Sequence, residues 1–320
     1  PILLRKTIFY FLSKFFARLF PLYIEKTIYR LLYQRALVAI KLDSQKCDFI
    51  NAQWFHPSGT LAYFLSEKNR LPFSITYHGS DINYHSRFGL SNLFVRTVMY
   101  ACSCNFFVSN ATRIAAERDF GNIQSFISLN SLTREHLFTL RSLRQKFNIK
   151  YAICFVGSLE RIKGADLLPK IFLRASCLLG EKLSLVVVGS GALSCQVEND
   201  CIDLGLDVHF TGAISRSEAA FVIASSSCLI APSRNEGLPL VIVEAQAIGT
   251  PVVATNVGGC NEIICREWLV DLNSDLVEDF ALKIFKLVRG ISYEFSQPTT
   301  CLERVIEKDY REICRIQSSS

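Results

Sequence analysis

Hydrophobic positions along this chain change period near residue 48. Before it, the spacing is helical. Ile8, Phe11, Leu12, Phe15, Phe16 and Leu19 recur at i, i+3 and i+4, with Lys6, Ser13, Lys14 and Ala17 on the other side. That pattern predicts a helix over residues 7–20, ended by Pro21, and a second basic helix over Tyr23–Leu42. The first helix has two readings, a core helix or an interfacial helix with aromatics in the acyl boundary and Lys/Arg at anionic headgroups. After residue 48, short apolar runs alternate with helical segments. Phe49–Ala52, Phe73–Tyr77 and Cys104–Val108 read as strands, and Ser109-Asn110 reads as a helix cap. The alternation is clearer from residue 151, with strands expected at Ala152–Val156, Leu185–Val188, Val208–Phe210, Cys228–Ala231, Pro251–Ala254 and Trp268–Val270. Helices are expected between them, then over Leu276–Val288 and Cys301–Cys314.

Apolar runs between helices indicate parallel strands covered on both faces, an α/β architecture. Two doubly wound Rossmann-like domains facing a cleft are therefore expected, with the stretch Thr139–Lys150 as linker. The domains are drawn as 1–145, 146–295 and a C-terminal helix and tail over 296–320. A doubly wound domain ordinarily opens with a strand and a Gly-rich turn, yet the first 46 residues contain no glycine. The first domain is accordingly expected to be incomplete, with three or four strands.

Composition narrows the classes. Half of the 320 residues are hydrophobic and a fifth charged, as in a globular chain with a buried core. Twelve cysteines are scattered without a Cys-x-x-Cys pair, which reads as reduced, mostly buried thiols. The net charge of +6 conceals an asymmetry: residues 1–150 hold 20 Lys and Arg against 8 Asp and Glu, and residues 151–320 hold 15 against 21. The basic half suits an anionic partner such as a membrane surface, or is simply a solvated surface. No run of 18 uncharged apolar residues indicates a spanning helix, and Thr7–Leu12 is too short for a signal peptide.

Four segments carry candidate chemistry. In Pro232–Ala245, Pro239 suits the first turn of a helix, which puts Glu236 in the preceding loop and Glu244 inside the helix. Gly237 permits close approach of a ligand. The amides of Leu238, Leu240 and Val241 would be free at the helix start, a site for a phosphate. The two carboxylates could accept hydrogen bonds from sugar hydroxyls. The plainer alternative is an acidic helix start that satisfies the helix dipole. Next, Phe155–Gly164 follows a strand and opens a helix, so Lys163 or Arg161 could neutralise a leaving anion. Third, Gly189 and Gly191 follow the strand Leu185–Val188 and could admit a ligand to the backbone. Fourth, His78 stands in the loop His78-Gly79-Ser80-Asp81, where Asp81 reads as a brace rather than a base.

Glu236-Gly237-Leu238-Pro239 through Glu244, then Gly249–Thr255, then Gly258–Ile264, together resemble the donor domain of the family-4 retaining glycosyltransferases, whose signature is Glu-x7-Glu. The resemblance is strongest over 151–265 and weaker over 48–130. It implies the GT-B fold, with a nucleotide-sugar donor in the C-terminal domain and the acceptor bound by the N-terminal domain. Glu236 would contact donor-sugar hydroxyls, Glu244 the ribose, and Gly237, Leu238 and Pro239 would lie against sugar and phosphate. Gly157, Ser158 and Arg161 would be donor-binding, as would Gly189 and Gly191. Thr211 would lie near the base. His78, Lys163 and Glu236 would be catalytic. The family often has Arg where this chain has Ser158, which puts a two-cation clamp in doubt.

The function so implied is retaining, metal-independent transfer of a sugar to a saccharide or lipid-linked acceptor, in surface polysaccharide or lipopolysaccharide biosynthesis. It would take place in the cytoplasm or on the inner membrane face. No cofactor, metal or nucleic acid is expected. Two alternatives stay open: a non-catalytic nucleotide-sugar-binding module, and a nucleotide-sugar epimerase of the same architecture.

Overall fold

The computed structural model describes residues 26–33, 47–83, 91–143, 151–290, 292–295, 305, 308–309 and 311–315. The helix expected over 7–20 lies outside them. Of the helix expected over 23–42, residues 26–33 are described and are helical. By packing, the chain divides into two units, Pro1–Leu129 with Glu307–Ser320, and Asn130–Ile306.

The first unit runs β1 (Ile50–Gln53), a turn (Phe55–Gly59), α1 (Thr60–Asn69), β2 (Phe73–Tyr77), a single helical turn (Ser80–Asn83), α2 (Asn92–Ala101), β3 (Cys104–Phe107), α3 (Asn110–Phe120) and β4 (Ser125–Ile127). The strands form one parallel sheet in the order β1-β2-β3-β4, with Ile75 opposite Ala52 and Asn105. Every residue of β2 and β3 is buried, which is why they read as unbroken apolar runs. The core is aromatic: Tyr77 stacks on Phe107 at 4.7 Å, and Tyr29 of the 26–33 helix stacks on Phe94 at 5.2 Å. Ser109 caps α3 in a reciprocal capping box with Thr112, as the sequence indicates.

The second unit runs α4 (Arg134–Leu143), β5 (Tyr151–Val156), two 3-10 turns (Arg161–Lys163 and Ala165–Leu167), α5 (Leu168–Leu179), β6 (Leu185–Val188), α6 (Ser194–Asp203), β7 (Val208–Gly212), α7 (Arg216–Ala224), β8 (Ser226–Ala231), α8 (Leu240–Ile248), β9 (Val252–Thr255), β10 (Leu269–Val270) and α9 (Leu276–Val288). Its six strands are parallel in the order β10-β9-β8-β5-β6-β7. The chain moves outward from β5 through β6 and β7, then returns to pair β8 with the other edge of β5, Ile153 opposite Cys228. Strand order thus reverses between β5 and β8, and a reversal of this kind opens a crevice at the carboxyl ends of the two strands.

Three expectations shift. The division after Leu129 precedes the stretch drawn as linker, because α4 packs on α8 through its buried Leu137 and Leu140. Within the segment drawn as C-terminal helix and tail, Ile313 packs with Cys104 and Phe106, and Ser128 donates to Asp309 at 2.5 Å, so these residues belong with the first unit. The segment after β5 enters α5 only through two 3-10 turns, separated by Gly164 at φ +72°. Of the free cysteines, Cys102, Cys104, Cys154, Cys201, Cys228 and Cys260 are buried. Burial pushes the thiol of Cys104 up to about 11 and that of Cys201 up to about 12.

Gly164 and Gly180 (φ +69°) are both left-handed, but a Cβ on Gly164 would lie 2.0 Å from the Pro232 carbonyl oxygen, whereas Gly180 has nothing within 4 Å. Gly180→Ala should therefore cost about 1 kcal/mol, the left-handed penalty alone. Gly164→Ala should cost roughly 3 kcal/mol or more, because the loop after β8 must move. Urea unfolding of the two variants ranks them, and equal midpoints would remove the packing constraint at Gly164.

Candidate functional site

The crevice between β5 and β8 holds a cavity of about 280 Å³, lined by Gly157, Lys163, Ser233, Glu236, Pro239, Leu240 and Val241 among others. Its two loops are fastened together. Lys163 Nζ donates to both oxygens of Glu236, at 2.7 and 2.9 Å, and Ser233 Oγ donates to Glu236 at 2.7 Å. Arg234 binds Asp166 in a fork, at 2.6 and 2.8 Å, while its backbone amide donates to the Ile162 carbonyl and its guanidinium to that of Arg161. Pro239 is the N-cap of α8, so Glu236 lies before the helix and Glu244 is its fifth residue, as the sequence spacing indicates. The amides of Leu240 and Val241, in the first turn of α8, have no carbonyl within the helix to bond, and both residues line the cavity. Those of Ile242 and Val243 turn back to the Pro239 carbonyl.

Other expected donor residues lie differently. Leu238 is 3% exposed, and its carbonyl accepts from Asn130, so its side chain belongs to the core rather than to a ligand surface. Gly237 is buried, and its carbonyl accepts from the Gly259 amide. At Gly189 and Gly191 the close neighbour is protein backbone: added Cβ atoms would meet the carbonyls of Gly157 at 1.9 Å and Leu159 at 2.5 Å. These approaches extend the sheet's hydrogen bonding past the strand ends, with the Gly157 and Leu159 amides donating to Val188 and Ser190. Ser158 is half-buried beside the cavity lining, and Arg161 is exposed on the first 3-10 turn. Thr211 is half-buried at the end of β7.

Glu244 does not line that cavity. Its carboxylate accepts from Arg216 at 2.6 Å, and His136 Nε2 is 3.8 Å away. Arg216 and His136 border a second cavity of about 420 Å³, with Ser131, Leu132, Thr133, Glu135 and Thr139. Sequence reasoning missed Arg216 and His136, which carry no spacing signal relative to Glu244.

On the first unit, His78 follows β2. Its Nε2 is 2.9 Å from Gln53 Oε1, and its ring lies 4.4 Å from that of Trp54. Burial pushes its pKa down. Asp81 is the brace that the sequence indicates: its carboxylate accepts from the amides of Phe55, His78 and Gly79 at 2.9–3.0 Å, which pins the loops after β1 and β2 to each other. Trp54 sits at φ +64°, ψ 144°, a conformation costing a residue other than glycine about 1–3 kcal/mol. Among the described residues no group of three or more His, Cys, Asp and Glu could hold a metal, and no helix is long and apolar enough to cross a membrane.

Residues 141–290 match the family model described as glycosyl transferases group 1. The chain is 25% identical over 253 residues to an uncharacterized glycosyltransferase of Methanocaldococcus jannaschii, covering 78% of this chain and 68% of that one. It is 28% identical over 225 residues to a putative teichuronic acid biosynthesis glycosyltransferase of Bacillus subtilis, covering 68% and 55%. Among solved structures, a mutant of S. aureus TarM in complex with Fondaparinux, alpha-GlcNAc-glycerol and UDP matches with a TM-score of 0.68 at 14% identity, over 90% of this chain and 59% of that one. The fold is GT-B. In GT-B terms, the cavity between β5 and β8 lies within the segment that the family model matches.

In the turn after β1, burial pushes His56 down to about 4, and the Tyr33 hydroxyl lies 3.3 Å from its Nδ1. Unfolded, His56 takes its proton near its ordinary value of 6.5. Its contribution to stability is therefore present above pH 6.5 and is lost as pH falls toward 4. Thermal unfolding of His56→Gln should fall less steeply between pH 7 and 5 than that of the parent; identical slopes would show that His56 is not buried neutral.

Proposed function

We propose that the protein is a nucleotide-sugar-dependent glycosyltransferase that moves a sugar to a saccharide or lipid-linked acceptor with retention at the anomeric carbon, as in the family-4 enzymes. The observation that carries this reading is the cavity at the strand-order reversal, which joins an ammonium, a carboxylate and the first-turn amides of α8 within the matched segment. A diphosphate needs donors and positive charge; a sugar needs acceptors for its hydroxyls.

In the reaction, the bond from the anomeric carbon to the diphosphate oxygen breaks and the bond to the acceptor oxygen forms on the same face. The acceptor proton passes to the departing diphosphate. Lys163 and the Leu240 and Val241 amides stabilise the charge that develops there. Glu236 accepts from hydroxyls of the transferred sugar, and His78 orients it. Glu244 exchanges Arg216 for the ribose hydroxyls. Gly157, Ser158, Arg161, Thr211 and Pro239 border the donor, and Gly189, Gly191, Gly237 and Leu238 act only behind it, by packing the loops that hold it. Since no step draws on a metal, turnover should persist in chelator. The basic first half favours an acceptor held at the inner face of the cytoplasmic membrane, in surface polysaccharide biosynthesis.

The test is a thermal-shift panel of nucleotide-sugars, followed by donor turnover. At a hundredfold excess over Kd the true donor should stabilise the fold by about 2.7 kcal/mol. A flat panel would overturn the reading, and binding without turnover on any acceptor would favour a non-catalytic module. A hydrogen bond to a charged group is worth about 1.5–3 kcal/mol, so Glu244→Ala should weaken donor binding about ten- to a hundredfold. Unchanged affinity would remove Glu244 from the ribose. Lys163→Ala should lower kcat more than donor affinity, and an unaltered kcat would take the ammonium out of the mechanism.

A further inference from the structure

The rim formed by the ends of β1 and β2 holds an exposed aromatic ring that the donor site does not use. Trp54 is 48% exposed, although large apolar side chains are ordinarily buried. It occupies a backbone conformation in which glycine would be at ease. Asp81 fixes the loops on both sides of it, and the His78 ring supports it at 4.4 Å. An indole held rigidly, half open to solvent, at a strained position is a binding surface already ordered for its ligand.

The surroundings indicate the ligand's chemistry. In the two loops, residues 53–59 and 77–82, the only carboxylate is the buried Asp81, and neither loop contains Lys or Arg. Burial lowers the pKa of both His56 and His78, favouring neutral imidazoles. Polar groups at this rim include the His78 imidazole against the indole and the Gln53 amide, which hydrogen-bonds that imidazole at 2.9 Å. These two loops offer a phosphate no Lys or Arg. A pyranose offers what this surface accepts, a face of C–H bonds for the indole and neutral hydroxyls for amide and imidazole. We propose that Trp54 is a stacking platform for a pyranose ring of the acceptor saccharide, flanked by Gln53 and His78. The word acceptor rests on the transferase reading; the saccharide itself follows from the rim.

The chain has two tryptophans, and Trp268 is fully buried, so emission quenched by iodide is that of Trp54. Maltotriose and N,N′-diacetylchitobiose serve as neutral probes, with UDP and GDP in a separate arm. At least one saccharide should lower the iodide quenching constant saturably, and neither nucleotide should. Protection by a nucleotide alone would make Trp54 a base-stacking residue and overturn the proposal, as would no protection by either saccharide. In calorimetry, Trp54→Gly should weaken saccharide binding about tenfold or more and Trp54→Phe by less. Because glycine relieves the strain, Trp54→Gly should also unfold no earlier than the parent, which separates lost binding from lost folding. Equal saccharide affinity in all three proteins overturns the proposal. The nucleotide-sugar panel is independent of this readout: a flat panel with Trp54 protected defeats the transferase reading alone, and a positive panel with Trp54 unprotected defeats only the platform.

Discussion

The cavity between β5 and β8 depends on how the loop after β5 is fastened to the loop after β8. Sheet hydrogen bonds register the two strands but stop at their ends, and at a reversal of strand order the chains that follow diverge. Here they are held by Arg234 gripping Asp166 and two carbonyls of the facing loop, by Lys163 on Glu236, and by the Gly164 backbone against Pro232. Part-buried ion pairs of this kind contribute little net stability once desolvation is counted, but they fix geometry. The fastening sets where the Glu236 carboxylate and the first amides of α8 stand relative to the Lys163 ammonium. The recognition groups are therefore placed by contacts that are themselves charged, and a substitution at Arg234 or Asp166 disturbs the site without touching the cavity wall.

The sequence makes some of this legible and not the rest. Phe73–Tyr77 and Leu185–Val188 read correctly to the residue because strands buried on both faces have to be continuous apolar runs. Leu276–Val288 reads correctly because Asp275 caps it and its apolar stripe is regular. The strand Ser125–Ile127 is three half-buried residues at a sheet edge and leaves no run to detect. At the site, Lys163 and Glu236 stand out through motif and spacing. The partner of Arg234 is 68 residues away and that of Glu244 is 28 residues away, distances that carry no periodic signal. Gly189 and Gly191 show a subtler limit, since a glycine that admits a ligand and one that admits a neighbouring loop look identical in sequence.

The two units solve their packing differently. The first relies on stacked aromatic side chains such as Tyr77 on Phe107, and among the described residues its four strands run in chain order without a reversal. At the ends of β1 and β2 it presents a surface that carries the exposed Trp54. Asp81 secures that surface through three backbone amides, as the ion pairs do in the second unit. Its carboxyl pKa is nonetheless raised, because burial outweighs those bonds.

The pairing of each motif carboxylate with its own cation bears on how an anionic donor could enter. Glu236 with Lys163 and Glu244 with Arg216 are each neutral as pairs, and the half of the chain that carries them has more Asp and Glu than Lys and Arg. Long-range attraction therefore contributes little to capture, and short-range contacts carry recognition. The two pairs differ in what binding would require. Arg216 is 57% exposed in its side chain, so releasing Glu244 returns a guanidinium to water at small cost. Lys163 is 33% exposed over a Glu236 that is 10% exposed, and its ammonium has three donors, so it can hold the carboxylate and meet a phosphate together. On the function proposed above, ribose recognition by Glu244 is an exchange of partners, and phosphate recognition at Lys163 an addition to a pair that stays in place.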